Sequence, residues 1–160
     1  MRFFGLIAVL AVAASIAAAS AQTQNRSRQT AKPTHVELTY TKWFAPGFPN
    51  MVGVVGGDLV GRFGGAVLEA RPDETGRFVH LKAIYLVIAA DPAQSFTARV
   101  EGVQDNQTAT AVLDGRVVDG SPTRAHVHVE FKVISCTEAP SGKCFQGTIS
   151  VSRSSEASGD

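Results

Sequence analysis

The sequence predicts an all-β protein, built as a small closed antiparallel β-barrel of about eight strands. Three observations predict this class. Strand-like apolar runs recur along the 160 residues, turn-forming residues separate them, and several runs alternate between polar and apolar residues with a period of two. Many short strands with short connections are compatible with two architectures, a closed up-and-down barrel and a β-sandwich.

The N-terminal segment 1–21 is predicted to be a signal peptide. A positive start at Arg2 precedes an apolar run, and Ala19-Ser20-Ala21 supplies the small residues that signal peptidase requires. The run is shorter than the roughly 20 apolar residues that span a bilayer comfortably. We therefore expect cleavage after Ala21, no stable membrane anchor, and a secreted or periplasmic protein.

The rest of the chain is predicted to contain one folded domain. Residues 22–33 have no apolar period and predict a disordered N-terminal arm, and residues 153–160 predict a disordered polar tail. The domain between them, residues 34–152, carries all the strand-like runs. These runs, in order, are His35–Lys42, Asp58–Ala70, Phe78–Ala89, Ser95–Val103, Gln107–Val118, Arg124–Cys136 and Cys144–Ser152.

Glycines in the second run favour the barrel over the sandwich. Gly57, Gly61, Gly64 and Gly65 lie in or beside that run. Glycines inside a long strand are typical of bulges or sharp coiling, which a small barrel needs. An immunoglobulin-type sandwich has no support, because the two cysteines lie too close in sequence to bridge two sheets.

The same glycine-rich stretch resembles a known family. "GDLVGRFGGAVLEA", followed by a long apolar strand, "SFTARVEGV" and "VLDGRVVDG", is similar to the allene oxide cyclase and dirigent-like β-barrel superfamily. The likeness extends over about residues 57–133. It implies an eight-stranded barrel that holds a small apolar molecule, in some members to guide a cyclisation or coupling. None of the family's catalytic acidic or tyrosine residues has a matching motif here, so none is transferred.

The two cysteines predict a disulfide across a hairpin. Cys136 and Cys144 lie in "ISCTEAPSGKCFQG", where Pro140, Ser141 and Gly142 form a turn signal between two apolar runs. A hairpin brings its strand ends together, and a disulfide there suits an oxidising compartment. The spacing is not C-x-x-C, and no further cysteine completes a zinc site.

The stretch "RAHVHVEFKV" carries the only metal-like pattern. On a strand His126, His128 and Glu130 share one face, while Val127, Val129 and Phe131 share the other. "GSPTRAHVH" also matches the start of the cupin motif, G-x5-H-x-H, but the glutamate that the motif requires would fall at position 132 or 133. A solvated strand face explains the row equally well. His80 would complete a metal site only if it lies nearby in space.

The aromatic segment "WFAPGFP" predicts a loop that either covers one barrel end or forms a lip over a ligand site. Its candidate binding residues are Trp43, Phe44 and Phe48.

Composition and motifs exclude several functions. A formal net charge of +1 lacks the basic footprint of a nucleic-acid binder. Phosphate-loop and nucleophile-elbow motifs are missing, so no cofactor and no catalytic residue is expected.

The sequence predicts a binding protein for a small apolar ligand or a partner. A cyclase or isomerase of the allene oxide cyclase type is the first alternative, and a metal-binding cupin-like protein is the second.

Overall fold

A computed structural model describes residues 35–153, and they form a closed antiparallel β-barrel of eight strands. The predicted class is confirmed. Each strand pairs with the next one along the chain, and β1 pairs with β8 to close the barrel. The strands are β1 His35–Phe44, β2 Met51–Gly57, β3 Gly61–Pro72, β4 Phe78–Ala89, β5 Phe96–Asp105, β6 Thr110–Gly120, β7 His126–Ser135 and β8 Lys143–Ser152. The predicted signal peptide and arm, and the tail after residue 153, lie outside the described residues.

Strand β2 is the one strand that the sequence pattern did not predict. Its sequence, MVGVVGG, holds three glycines, and the pair Gly56-Gly57 is typical of a turn. In the barrel it pairs with β1 on one side and β3 on the other. Gly53 pairs with Lys42 on β1 and with Phe63 on β3, and a Cβ at Gly53 would lie 2.1 Å from the Thr41 carbonyl oxygen. Glycine is tolerated here because a neighbouring backbone approaches closely.

The inner face carries the hydrophobic core. Inward side chains alternate with outward ones along each strand, as a barrel requires. On β5, for example, Phe96, Ala98 and Val100 are buried, whereas Arg99 and Glu101 are exposed. Residues at the barrel centre that are fully buried include Leu38, Leu113, Val127, Val129 and Ile149.

The four glycines that favour a barrel do not mark a β-bulge in the β3–β4 pairing. The single register shift between β3 and β4 falls between Val67 and Glu69, so none of the four predicted glycines marks that irregularity. Several strand glycines instead lie where neighbouring backbones approach closely. Gly147 on β8 pairs with Tyr40 on one side and Phe131 on the other, and a Cβ at Gly147 would lie 1.8 Å from the Glu130 carbonyl oxygen. Small residues between large aromatic ones let the interior of a small barrel close.

The predicted disulfide joins Cys136 and Cys144 across the β7–β8 hairpin, with Cα atoms 5.7 Å apart. This bond is compatible with an extracellular location, where disulfides persist. No helix among residues 35–153 is both long and apolar enough to cross a membrane.

Candidate functional site

One half of the barrel interior contains a cavity of about 190 Å³. It lies toward the end that carries the β1–β2, β3–β4, β5–β6 and β7–β8 connections, because its walls come from the strand segments next to those loops. Phe44 is 43% exposed and also lines the cavity, so the cavity reaches the surface beside the β1–β2 loop. The walls are mostly apolar, with Val67, Val79, Leu81, Leu113, Phe131 and Phe145 among them.

Lys42 is the unusual member of this lining. It occupies an inward position of β1, two residues after Tyr40, and it pairs with Gly53 on β2 and Phe145 on β8. Its residual exposure is only 3%, and it is the one buried residue with an ionisable amine or carboxylate among residues 35–153. Lysine is almost never fully buried without a partner, so its position requires an explanation.

Aromatic rings surround the Lys42 amine. Its Nζ lies 4.0 Å from the centre of the Tyr85 ring and 4.8 Å from that of Phe131. The rings of Tyr40, Phe63 and Phe145 follow, with centres between 5.5 and 5.7 Å from the same atom. Such rings can interact favourably with an ammonium ion, but they supply no proton acceptor comparable to a carboxylate.

The direct polar partner of Lys42 is a phenol. Lys42 Nζ donates a hydrogen bond to the Tyr85 hydroxyl. No carboxylate of the described chain lies within ion-pair distance of Nζ. Burial therefore lowers the pKa of Lys42 well below its usual range. Burial also raises the pKa of Tyr85, so the phenol stays protonated and offers no counter-charge.

A second tyrosine stands beside this pair. The Tyr40 ring packs edge-on against the Tyr85 ring, with ring centres 6.2 Å apart. The Tyr40 hydroxyl is buried and has no hydrogen-bond partner among the described residues. Burial raises the pKa of Tyr40 as well. A buried donor without a partner is rare in proteins, and here it adjoins a lysine that has no counter-charge.

The alternation of residues along β1 carries a sequence signal for Lys42. In "HVELTYTKWF" the inward row is Val36, Leu38, Tyr40, Lys42 and Phe44. A strict alternation along this strand places a lysine on the apolar face. Lysine at the end of a strand is usually solvent-exposed, so the pattern becomes informative only when the strand is known to continue through Phe44.

The predicted aromatic loop is only partly a loop. Trp43 and Phe44 end β1, so their assignment to a loop is wrong, whereas Phe48 lies in the connection and is 88% exposed. The pairing of β1 with β2 extends as far as Phe44 and Met51, which shortens the connection. Of the three candidate residues, Phe44 lines the cavity, and Trp43 lies on the outward row of β1.

The histidine row of β7 has the predicted register. His126 and Glu130 are exposed and His128 is half-buried, whereas Val127 and Val129 are buried. Outside the barrel, His128 Nδ1 lies 2.8 Å from the Asp114 carboxylate and its Nε2 lies 3.3 Å from that of Glu130. Both ring nitrogens of His128 thus have protein partners.

The only three-residue cluster of metal-ligand type among residues 35–153 is formed by Cys136, Glu138 and Cys144, and those cysteines form the disulfide.

His80 does not lie beside that row. It is on β4, and strands β5 and β6 separate it from β7. Three strand spacings correspond to about 14 Å along the sheet. The structure therefore does not bring His80 together with His126, His128 and Glu130.

The contacts of His128 predict a measurable titration. The hydrogen bond to Asp114, followed by that to Glu130, raises the pKa of His128 above its usual value. Because the folded-state pKa is raised, the stabilisation from His128 is complete below the unfolded-state pKa of about 6.5 and is lost as the pH rises through the folded-state pKa. We expect Asp114→Asn to lower the pKa of His128, as followed by NMR of its ring protons. Glu138→Gln, in the β7–β8 loop, is the matched control and should leave the titration unchanged. An unshifted His128 titration in Asp114→Asn would contradict this assignment.

Fold and site together define the class of this protein: a small closed antiparallel barrel with an internal apolar cavity and a buried lysine–tyrosine pair. Comparison with known proteins adds no family to this description, because no family model, no curated protein and no solved structure matches the chain.

Proposed function

We propose that the barrel binds a small apolar molecule inside its cavity. The observation that carries this proposal is the apolar space of about 190 Å³ at one end of the barrel interior, beside an exposed Phe44. Ligand sites are typically concave and mostly apolar, with a small number of polar groups that orient the ligand, and the mouth of a β-barrel is one of their usual places. Lys42, Tyr85 and Gln104 are the polar groups of this lining.

The size of the cavity limits the ligand. An apolar cavity of about 150 Å³ in another protein is sufficient to bind benzene. Pockets for drug-sized ligands have volumes of roughly 300–1,000 Å³. The proposed ligand is therefore a molecule about as large as a substituted benzene or a short alkyl chain.

A cyclase or isomerase of the allene oxide cyclase type is the second candidate function. Tyr85 favours it, because a phenol within an apolar cavity can orient a reacting oxygen. The acidic residue that an acid–base mechanism would also use is not part of the cavity lining, which consists of apolar residues together with Lys42, Tyr85 and Gln104. Binding is the better supported function for this reason.

We also propose that the protein works outside the cytoplasm, in a secreted or periplasmic setting. The Cys136–Cys144 disulfide supports this, since thiols in the cytosol are kept reduced. The predicted signal peptide points to the same compartment.

Titration with benzene tests the binding proposal. We expect saturable shifts of the methyl NMR signals of Val67, Leu81 and Leu113, since these side chains line the cavity. Ala83→Phe should abolish the shifts, because Ala83 lines the cavity and a phenyl group there occupies the space that benzene would fill.

Ile88→Phe is the matched control for this experiment. Ile88 is on the same strand, but it is exposed and does not line the cavity, so the variant should bind benzene like the wild-type protein. Circular dichroism verifies that both variants fold. Absence of saturable shifts in the wild-type protein, or equal shifts in Ala83→Phe, would refute the proposal.

A further inference from the structure

We propose that Lys42 is a nucleophile that captures an aldehyde group of the cavity ligand as a Schiff base. This inference rests on the proposed function, because the aldehyde reaches Lys42 only through the cavity. It also names the chemical class of the ligand: a small apolar molecule that carries one aldehyde.

The position of Lys42 supports this role. Its side chain lines the cavity, so a bound molecule contacts it without any rearrangement of the barrel. The rest of the barrel interior is packed with apolar side chains, so the amine is shielded from bulk solvent on the remaining sides. A lysine in an apolar pocket without a carboxylate partner is in the environment that favours the neutral, nucleophilic amine.

An apolar residue at position 42 would make the folded barrel more stable than the buried amine does. We therefore expect Lys42 to serve a function that offsets this loss of stability. Burial of an unpaired amine disfavours folding, and the depressed pKa of Lys42 expresses that effect. Lys42 is the lysine of β1, its side chain points inward, and it lies against the cavity rather than in the fully packed part of the core. Titratable groups with strongly perturbed pKa values, in a cleft or cavity, are concentrated at functional sites.

An aldehyde suits this site better than a carboxylate ligand. A carboxylate would bring a second charge into an apolar cavity and would require Lys42 to be an ammonium ion, so both ions would have to be desolvated. An aldehyde is neutral, and it needs an amine with a free electron pair. The cavity lining offers neutral hydrogen-bonding groups, the phenol of Tyr85 and the amide of Gln104, and no carboxylate.

The reaction balances without an external reagent. The Nζ electron pair attacks the carbonyl carbon, and the carbonyl oxygen takes a proton while nitrogen loses one, which gives a carbinolamine. The hydroxyl group then leaves with the second nitrogen proton as water, and a C=N bond joins the ligand to Lys42. Tyr85, which already accepts a hydrogen bond from Nζ, is placed to relay these protons.

Reductive trapping tests this assignment. The folded protein is mixed with benzaldehyde and sodium cyanoborohydride near pH 7, and modified lysines are located by peptide mass mapping. We expect Lys42 to gain the mass of the aldehyde less one oxygen atom, at a rate at least about tenfold above that of the half-exposed Lys82. Exposed lysines are ammonium ions at this pH and react slowly.

Three comparisons make the result specific. Lys42→Met should lose the adduct, and Lys82→Met should keep the Lys42 adduct. Ala83→Phe, with the cavity filled and Lys42 intact, should reduce labelling of Lys42 to the level of exposed lysines. Glyoxylate, an anionic aldehyde, should label Lys42 no faster than it labels Lys82, because the apolar cavity excludes it.

The outcomes separate this inference from the proposed function. If benzaldehyde shifts the cavity methyl signals but leaves Lys42 unlabelled, the cavity binds apolar ligands and the Schiff-base role is wrong. If neither benzene nor benzaldehyde shifts those signals, the binding function itself fails. Labelling of Lys42 that persists unchanged in Ala83→Phe would also overturn the inference, because the amine would then be reached by another route.

Discussion

Replacing Lys42 with methionine is expected to stabilise the barrel by about 1–3 kcal/mol near pH 7, the range that mutational data give for a buried polar group. Methionine has a similar length and no polar group, and its flexible chain fills irregular space in cores. When the wild-type protein folds, the Lys42 amine must either lose its proton or be buried as an ammonium ion, and both disfavour folding. Methionine avoids both. It leaves the Tyr85 hydroxyl without its partner, which offsets part of the gain.

The gain should depend on pH with a definite sign. The pKa of Lys42 is lowered in the folded state, so the unfolded chain binds more protons, and the free energy of unfolding of the wild-type protein rises with pH. The window extends from the lowered folded-state pKa up to about 10.4, the ordinary value for lysine, with a slope of up to about 1.4 kcal/mol per pH unit. In Lys42→Met this slope disappears, so the two proteins should converge in stability as the pH approaches 10.

Urea unfolding at several pH values between about 7 and 10 measures the effect. Lys82→Met is the control, because Lys82 is half-exposed in an ion pair with Glu69 and such pairs contribute little. That variant should keep the wild-type slope. An identical pH slope in wild-type protein and Lys42→Met would show that the surrounding rings hold Lys42 as an ammonium ion in the folded state, and that its amine is not poised for nucleophilic attack.

Gly147→Ala should destabilise the barrel by about 3 kcal/mol or more, the upper range for overpacking a core. A Cβ at this position would lie 1.8 Å from the Glu130 carbonyl oxygen and 2.7 Å from the Phe131 Cα. Both atoms belong to the backbone of β7, so no side-chain rotation relieves the overlap. The β7–β8 pairing must separate locally, and the packing of Phe131 beside the cavity changes with it.

Gly64→Ala is the matched control, since it makes the same substitution inside a strand. The nearest atoms to its Cβ would be side-chain atoms of Leu86 and Pro49 at 3.7 Å, which is ordinary contact. We expect Gly64→Ala to change the urea midpoint little, or to raise it slightly through the loss of unfolded-state freedom. Equal midpoints for the two alanine variants would mean that β7 and β8 can separate at low cost at this position.

Local pattern was a sufficient guide where one strand face is apolar and the other polar. The β7 row illustrates this: the alternation of His126, Val127, His128 and Val129 gave the correct register, since a slip by one residue would bury the histidines. The disulfide was equally local, because eight positions of sequence and a turn signal bring Cys136 next to Cys144. Strand β2 was missed because glycines dominate it, and whether a glycine marks a turn or a close approach depends on the neighbouring strands.

The candidate site was the part that the pattern did not reveal. The segment "WFAPGFP" drew attention to exposed aromatics, and of these only Phe44 lines the cavity. The polar members that define the chemistry, Lys42 and Tyr85, come from β1 and β4, which are not adjacent in the barrel. Their contact crosses the interior and leaves no trace in the spacing of the sequence.

The sequence by itself therefore determined the all-β class, the register of the alternating strands and the hairpin disulfide, because each depends on residues close together in the chain. Only the tertiary structure decided that Lys42 is buried, that it meets Tyr85, and that a cavity remains beside them. The physical reason is closure. A side chain that points inward from one strand is buried only when all eight strands complete the barrel. The cavity volume is the volume that the strands enclose minus the volume of the side chains that all of them contribute.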